Sequence, residues 1–136
     1  PKACPMNPRF LSVEEVLKLH ARQLARYGGG EGVRDQGLLE SAIAQPQASF
    51  GGAWMHPTLT EMAGAYVFHI VSNHPFVDGN KRAGLLAALT FLWINGVTVR
   101  GQSERLYDLT MAIAQGLDKA QALSIWTEII HAEITP

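Results

Sequence analysis

The feature that most constrains the fold is a run of 17 residues, from Ala83 to Val99, without a single charged side chain. A membrane-spanning helix needs about 20 consecutive apolar residues. This run is shorter, and it includes the turn-forming pair Asn95-Gly96. We therefore predict a buried central helix that begins near Asn80 and ends at Asn95-Gly96, where a left-handed C-terminal cap is favoured.

The rest of the chain also follows helical periodicity. Ser12 and Glu15 have the spacing of a capping box, which predicts a first helix that ends at the three glycines of residues 28–30. Asp35 can cap a second helix that ends at Pro46. The other predicted elements are helices over about 59–72, 104–115 and 119–132, an extended connection over 97–102, and a short hairpin or exposed flap over 48–57.

The expected fold class is all-α. One domain of residues 1–136 would form a helical bundle around the buried central helix, with a short β-hairpin flap and an irregular N-terminal segment at 1–10. Phe50 and Trp54 in the flap are interpreted as packing residues. Arg34 and Asp35 are interpreted as an ion pair or a helix cap, and His20 and His69 as structural histidines.

The composition argues against several classes of function. A formal net charge of -1 provides no basic field for nucleic acid, so no direct nucleic-acid contact is expected. The single cysteine, Cys4, can form neither an internal disulfide framework nor a four-cysteine zinc site, which fits a reducing compartment. No cationic segment followed by an apolar run is visible at the N-terminus. A cytoplasmic protein without membrane contact is therefore expected.

Residues 74–82 read His-Pro-Phe-Val-Asp-Gly-Asn-Lys-Arg and concentrate polar groups directly before the central helix. The first turn of a helix has unpaired N–H groups and the positive end of the macrodipole. Glycine at position 79 allows a ligand to approach this backbone, so Gly79 and Asn80 predict a phosphate site. Lys81 and Arg82 oppose the dipole, and a bound polyanion would resolve that conflict.

Two further side chains in this stretch suggest catalysis. Asp78 directly precedes the turn, and Mg²⁺ is commonly bound by one or two carboxylates together with substrate phosphates. His74 offers an imidazole, the side chain most often used as a general base. Taken singly, His74 would be a structural histidine and Asp78 a helix cap. Lys81 and Arg82 would be a solvated pair of cations. Their conjunction in nine residues predicts phosphate-group transfer from a nucleotide.

Residues 74–82 resemble the signature of the Fic/Doc family, and specifically of its Doc (death-on-curing) toxin branch. Residues 11–16, 32–35, 38–42 and 91–96 are also similar to Doc-branch segments, so the resemblance covers about residues 10–130. Fic proteins proper carry Gly-Asn-Gly-Arg, followed three residues later by a second arginine, and they transfer AMP. Lys81 and Leu85 replace that glycine and that arginine here, as in the Doc branch.

The resemblance implies a toxin of a toxin–antitoxin module, a protein kinase on a Fic scaffold. It would transfer the γ-phosphate of ATP, with Mg²⁺, to a threonine hydroxyl of a translation factor such as elongation factor Tu, and so arrest translation. The flap at 48–57 would dock the target by strand addition. The implied roles are His74 as general base, Asp78 as Mg²⁺ ligand, Phe76 as loop anchor, and Gly79, Asn80, Lys81 and Arg82 as the binding site for the ATP phosphates.

Two alternatives remain open at this point. One is Fic-type AMP transfer to a protein hydroxyl, and the other is a non-catalytic module that binds nucleotide or antitoxin. The resemblance also implies an inhibitor. Residues 124–128 match the family's internal inhibitory motif incompletely, because Ile129 stands at its last position. A separate antitoxin of the Phd type is therefore the expected partner.

Overall fold

The computed structural model describes residues 7–101 and 103–133, and six α-helices account for most of them. Residues 1–6, with Cys4 and part of the predicted irregular segment, lie outside the described residues, as does Gln102 of the predicted connection. The helices are α1 (Val13–Tyr27), α2 (Gln36–Ala44), α3 (Leu59–Asn73), α4 (Asn80–Ile94), α5 (Ser103–Ala114) and α6 (Lys119–Glu133). A 3-10 turn (Gln45–Gln47) and two strands, β1 (Ser49–Phe50) and β2 (Ala53–Trp54), connect α2 to α3. The predicted all-α class with a small hairpin is confirmed.

Helix α4 is the centre of the bundle, and it packs most extensively against α3. A Cβ added at Gly84 would lie 3.0 Å from the Val71 side chain and 3.3 Å from the Val67 carbonyl oxygen, so glycine at this position favours the close approach of the two helices. The residues of α4 that are buried are Asn80, Ala83, Gly84, Ala87, Ala88, Phe91 and Leu92. Trp93 is 67% exposed, so α4 is buried on one face rather than on all sides.

The predicted helix ends depend on local caps, and the structure contains them. Ser12 and Glu15 form the capping box of α1, with Ser12 Oγ accepting from Glu15 N at 3.1 Å and Glu15 Oε1 accepting from Ser12 N at 2.9 Å. Helix α4 ends at a left-handed Gly96, φ +90°, and the Val97 N–H donates to Leu92 O at 2.8 Å. The described residues include no helix long and apolar enough to span a membrane.

The predicted hairpin is present, and its two strands pair in an antiparallel register of Ser49 with Trp54 and Phe50 with Ala53. Gly51 and Gly52 supply the positive φ angles of the turn, +59° and +80°. The interpretation of Phe50 as a packing residue is wrong, because its side chain is 82% exposed. Trp54 does pack, edge-on against Phe10 at a ring distance of 5.4 Å.

Candidate active site

The loop between α3 and α4 carries the candidate site, and its first residue is His74. His74 has φ 53° and ψ 52°, and it is the one non-glycine residue with positive φ among the described residues. Its N–H still donates to Ile70 O at 3.2 Å, so it closes α3 while turning the chain away from the helix axis. The side chain of His74 is exposed, in reach of an incoming substrate.

Arg34 holds this turn from the segment that precedes α2. Its Nε donates to His74 O at 2.7 Å and its Nη2 donates to Asn73 O at 3.0 Å. The backbone N–H groups of Arg34 and Asp35 both donate to Pro75 O, at 2.6 and 3.1 Å. The ion-pair interpretation of Arg34 and Asp35 is wrong: Arg34 binds loop carbonyls, and Asp35 caps α2 by accepting from Leu38 N at 2.9 Å.

Side chains of helix α1 contact the middle of the loop. Phe76 is fully buried and stacks on the His20 ring, with 3.8 Å between ring centroids and 6° between planes. His20 Nε2 donates to Asp78 O at 2.8 Å, and Gln23 Nε2 donates to Gly79 O at 3.5 Å. His20 is structural, as interpreted from the sequence, yet its position directly beneath the site loop could not be read from local pattern.

Asn80 closes the loop on itself. Its Oδ1 accepts from Phe76 N at 2.9 Å and its Nδ2 donates to Phe76 O at 3.0 Å, and the side chain is buried. Both ends of the carboxamide are therefore bound to the Phe76 backbone. What Asn80 offers to a ligand is its backbone N–H in the first turn of α4, which begins without a side-chain cap.

Gly79 is favoured at the helix start by its backbone conformation. Its φ is +78°, in the left-handed region that favours glycine. A Cβ at this position would also collide with the Gln23 amide. The conformation of Gly79 thus directs the chain into the first turn of α4.

Asp78 lies at the mouth of the loop as an exposed carboxylate. It accepts from Gly30 N at 3.2 Å through Oδ2 and from Gly79 N at 2.8 Å through Oδ1. The Gly30 and Gly79 N–H groups, with the nearby charge of Lys81, hold the pKa of Asp78 below its usual value. Asp78 is consequently ionised at neutral pH. Each oxygen keeps a second lone pair, so the carboxylate can bind a cation without losing these hydrogen bonds.

The two cations of the first turn remain without carboxylate partners in the described part of the chain, where the ion pairs are Arg9–Glu15 and Arg105–Glu128. Lys81 is half-buried at the start of α4. Arg82 is exposed, and its Cζ lies 4.2 Å from the ring centroid of Tyr27 and 5.2 Å from that of Tyr107. The guanidinium is thus held over aromatic faces at the edge of the site.

The predicted site residues therefore divide into two groups. Asp78, Gly79, Lys81 and Arg82 surround the open N-terminus of α4, with His74 exposed at the other end of the same loop, whereas Phe76 and the Asn80 side chain lie inside and fix its shape. Arg34, His20, Gln23, Tyr27 and Tyr107 also belong to the site. Sequence reasoning did not identify these five, because they contact the loop or the first turn of α4 from other elements.

Comparisons with known proteins identify the family that this sequence matches. The sequence model of the Fic/DOC family matches residues 10–92. The chain is 42% identical to "Toxin Doc" of Mycolicibacterium smegmatis (strain ATCC 700084 / mc(2)155) over 107 residues, which cover 77% of this chain and 80% of that protein. It is 40% identical to "Protein kinase doc" of Escherichia phage P1 over 109 residues, which cover 79% of this chain and 84% of that protein.

Proposed function

Because the chain belongs to the Fic/DOC family, we propose that it is a Doc-type toxin that transfers the γ-phosphate of ATP to a protein hydroxyl. The observation that carries this proposal is the open start of α4. Unpaired backbone N–H groups lie there near the ionised Asp78 and the cations Lys81 and Arg82, and neither cation has a carboxylate partner among the residues that the structure describes. A nucleoside triphosphate with a divalent cation complements this set of charges.

In the proposed reaction His74 takes the proton of the attacking hydroxyl. The new bond forms between that oxygen and the γ-phosphorus, the bond to the β-phosphate oxygen breaks, and ADP leaves. Lys81, Arg82 and the N–H groups of the first turn hold the phosphate oxygens. Arg34 holds the His74 backbone in its left-handed turn, so that the imidazole is presented from a fixed position.

Asp78 is the proposed Mg²⁺ ligand. No three His, Cys, Asp or Glu side chains of the described residues form a self-contained metal site, and Mg²⁺ held by one carboxylate together with substrate phosphates needs none. The exposed, ionised carboxylate of Asp78 fits that role. When bound, the ion would neutralise charge that develops on the transferring phosphate.

Phosphate transfer is proposed over AMP transfer because of positions 81 and 85. Lys81 adds a cation at the helix start, and Leu85, one turn further along, offers no charge to a terminal phosphate. The proposed target is a threonine of elongation factor Tu in the cytoplasm.

Incubation of purified factor Tu with the protein, Mg²⁺ and ATP labelled at either the α or the γ position tests both the proposed reaction and the proposed target. We expect label on factor Tu from the γ position only, and none after removal of Mg²⁺ with EDTA. Label from the α position would establish AMP transfer instead, and label on other proteins alone would overturn the target.

A separate antitoxin of the Phd type is the proposed inhibitor, and the groove between α1 and α4 supports it. This groove has a volume of about 950 Å³ and is bordered by Arg22, Arg26, Leu86 and Trp93, among others. The exposed Trp93 and the two arginines suit an amphipathic helix that carries acidic residues.

Co-expression with the product of the neighbouring reading frame should therefore relieve growth arrest. Trp93→Glu should weaken that relief without reducing toxicity, whereas equal relief in both proteins would move the antitoxin to another surface.

The non-catalytic alternative makes a contrasting prediction in cells. A module that only binds nucleotide or antitoxin would arrest growth with or without the imidazole of His74. We expect His74→Ala to abolish growth arrest at equal expression. Arrest that persists in this variant would favour the binding module over the enzyme.

A further inference from the structure

The connection between α1 and α2, residues 28–35, runs along the site loop and pairs with it. An isolated antiparallel bridge joins Val33 to Phe76, and the Val77 N–H donates to Gly32 O at 3.0 Å. The two segments therefore lie side by side like a pair of very short strands. The earlier part of the connection, which contains three consecutive glycines, is thereby placed beside the end of the site loop.

This pairing continues to the side chain of Asp78. Gly30 N donates to Asp78 Oδ2 at 3.2 Å, and Gly79 N donates to Asp78 Oδ1 at 2.8 Å. One carboxylate oxygen is thus bound from the connection and the other from the site loop itself. Because the two donors belong to different segments, they fix the direction of a carboxylate that is otherwise exposed.

Gly29 leaves the space that the carboxylate occupies. A Cβ added at Gly29 would lie 2.7 Å from Asp78 Oδ2 and 3.1 Å from Leu24 Cδ2. The first distance is too short for a carbon and an oxygen that are not bonded, so one of the groups would have to shift. Leu24 is half-buried against α1, whereas Asp78 is exposed and is the group with room to move. A side chain at position 29 would therefore push Oδ2 away from the Gly30 N–H.

Gly28 provides a comparison within the same turn. Gly28 and Gly29 both have positive φ angles, +80° and +123°, so alanine would strain the backbone at either position. A Cβ added at Gly28 would have no atom outside its immediate chain neighbours within 4 Å. The two positions therefore share the backbone cost of a side chain and differ in contact with Asp78.

From these contacts we propose that Gly29 and Gly30 position the Asp78 carboxylate and so set the affinity of the site for a divalent cation. Gly30 supplies the hydrogen bond, and Gly29 supplies the space. The proposal rests on the proposed function in one respect, which is that Asp78 is the ligand of the cation. Both glycines are positioning residues, because they act through Asp78 and lie about 50 positions before it in the chain.

The test measures the affinity of the purified protein for ATP by titration calorimetry, once with Mg²⁺ and once with EDTA. The ratio of the two affinities is the Mg²⁺ enhancement, and we expect Mg²⁺ to tighten binding by the wild type. Gly29→Ala should lower this enhancement about 10-fold, as the loss of a group that orients a metal ligand does. Its affinity for ATP in EDTA should stay unchanged. Gly28→Ala is the matched control and should keep the wild-type enhancement.

A double variant shows whether Gly29 acts through the carboxylate. Asp78→Asn removes the ligand and should abolish the Mg²⁺ enhancement. Gly29→Ala added to Asp78→Asn should then cause no further loss, because the two substitutions disturb the same interaction. A further loss in the double variant would overturn the proposal. Equal losses in Gly28→Ala and Gly29→Ala, or full enhancement in Gly29→Ala, would overturn it as well.

Asp78→Glu decides the question even if alanine at position 29 folds poorly, because it leaves the glycines unchanged. The charge is kept, but the carboxylate is carried one methylene away from the Gly30 N–H. We expect the Mg²⁺ enhancement of Asp78→Glu to fall about 10-fold, as expected for a misplaced metal ligand. Full enhancement in this variant would show that the charge alone suffices and would overturn the positioning role.

The proposed function and this positioning role fail in distinguishable ways. Wild-type enhancement in Asp78→Asn, or no enhancement in the wild type, would remove Asp78 as the ligand and both proposals about the cation with it. Loss in Asp78→Asn without loss in Gly29→Ala would remove only the positioning role. Because the test measures binding, the expected pattern supports the positioning role even if no γ-phosphate reaches a protein.

Discussion

At the scale of single residues, His74 combines a chemical role with a backbone role. Its imidazole is the proposed base, and its φ of 53° turns the chain from α3 into the site loop. Non-glycine residues pay a steric cost in this left-handed region. The two roles can therefore be separated by substitution, because glycine keeps the turn while removing the imidazole.

We expect His74→Gly and His74→Ala to lower the rate of phosphate transfer at least ~10²-fold, the contribution of a positioned base. ATP affinity should stay near wild type in His74→Gly, because the backbone turn is retained. His74→Ala should melt at a lower temperature than His74→Gly, since alanine bears the cost of positive φ. Single-turnover transfer rates, ATP titration and thermal melts check these points. A wild-type rate in His74→Gly would remove this residue from the chemistry.

Arg34 is the positioning residue for that base, and its fork of two donors spans the carbonyls of Asn73 and His74. We expect Arg34→Ala to lower kcat about 10- to 100-fold, as misplacing a catalytic group does, with little change in the Kd for ATP. Arg34→Lys should recover only part of the rate, because an ammonium group lacks the planar fork. Arg100→Ala, on the connection after α4, is the matched control. A loss that falls mainly on ATP affinity would assign Arg34 to nucleotide binding.

Residues 74–82 supplied the candidate residues of the site, but not the contacts that hold their loop in place. Arg34, His20 and Gln23 reach the loop from 40, 58 and 56 positions away along the chain. Each is an ordinary polar residue in its local context, with no spacing that marks it. Contacts of this kind follow from how helices pack, and a single sequence does not encode them as a pattern.

At the scale of elements, the helix ends were predictable because caps are local. Ser12 with Glu15, Asp35, and Gly96 each satisfy backbone groups within a few positions, so their effect is visible in the sequence. The hairpin was predictable for the same reason, from Gly51-Gly52. The exposure of Phe50 was not predictable, because a strand of two residues shows no alternation to reveal which side faces the core.

The exposed Phe50 leads to an expectation for the hairpin. Its side chain covers no core surface, so Phe50→Ser should leave the free energy of unfolding nearly unchanged. If the hairpin docks the protein target, the KM for that target should rise several-fold while ATP affinity is preserved. Trp54→Ala is the contrasting variant, and it should lower stability because Trp54 packs on Phe10. Initial rates over a range of target concentrations, with denaturant melts, give both quantities. An unchanged KM in Phe50→Ser would exclude this side chain from target docking.

At the scale of the whole molecule, three neighbouring titratable groups have no part in the proposed reaction. His56 follows β2, His69 lies in α3, and Lys119 begins α6. His56 Nδ1 and His69 Nε2 are buried without a hydrogen-bond partner. Burial, together with the charges of Lys119 and His56, lowers the pKa of His69 from 6.5 to about 4. Burial, followed by Lys119, also lowers the pKa of His56, so both imidazoles are neutral in the folded protein at pH 7.

These lowered pKa values link the stability of the whole bundle to pH. An imidazole that binds its proton more weakly in the folded than in the unfolded chain destabilises the fold as protons become available. For His69 this contribution is absent above about 6.5 and grows as the pH falls towards about 4. We therefore expect the free energy of unfolding to decrease across that interval, and His69→Leu to reduce the slope by up to one proton. His131→Leu, at an exposed position near the end of α6, is the matched substitution for comparison. Urea melts at half-unit steps of pH measure the slope of the free energy of unfolding against pH. Equal slopes in the wild type and His69→Leu would show that His69 does not couple protonation to folding.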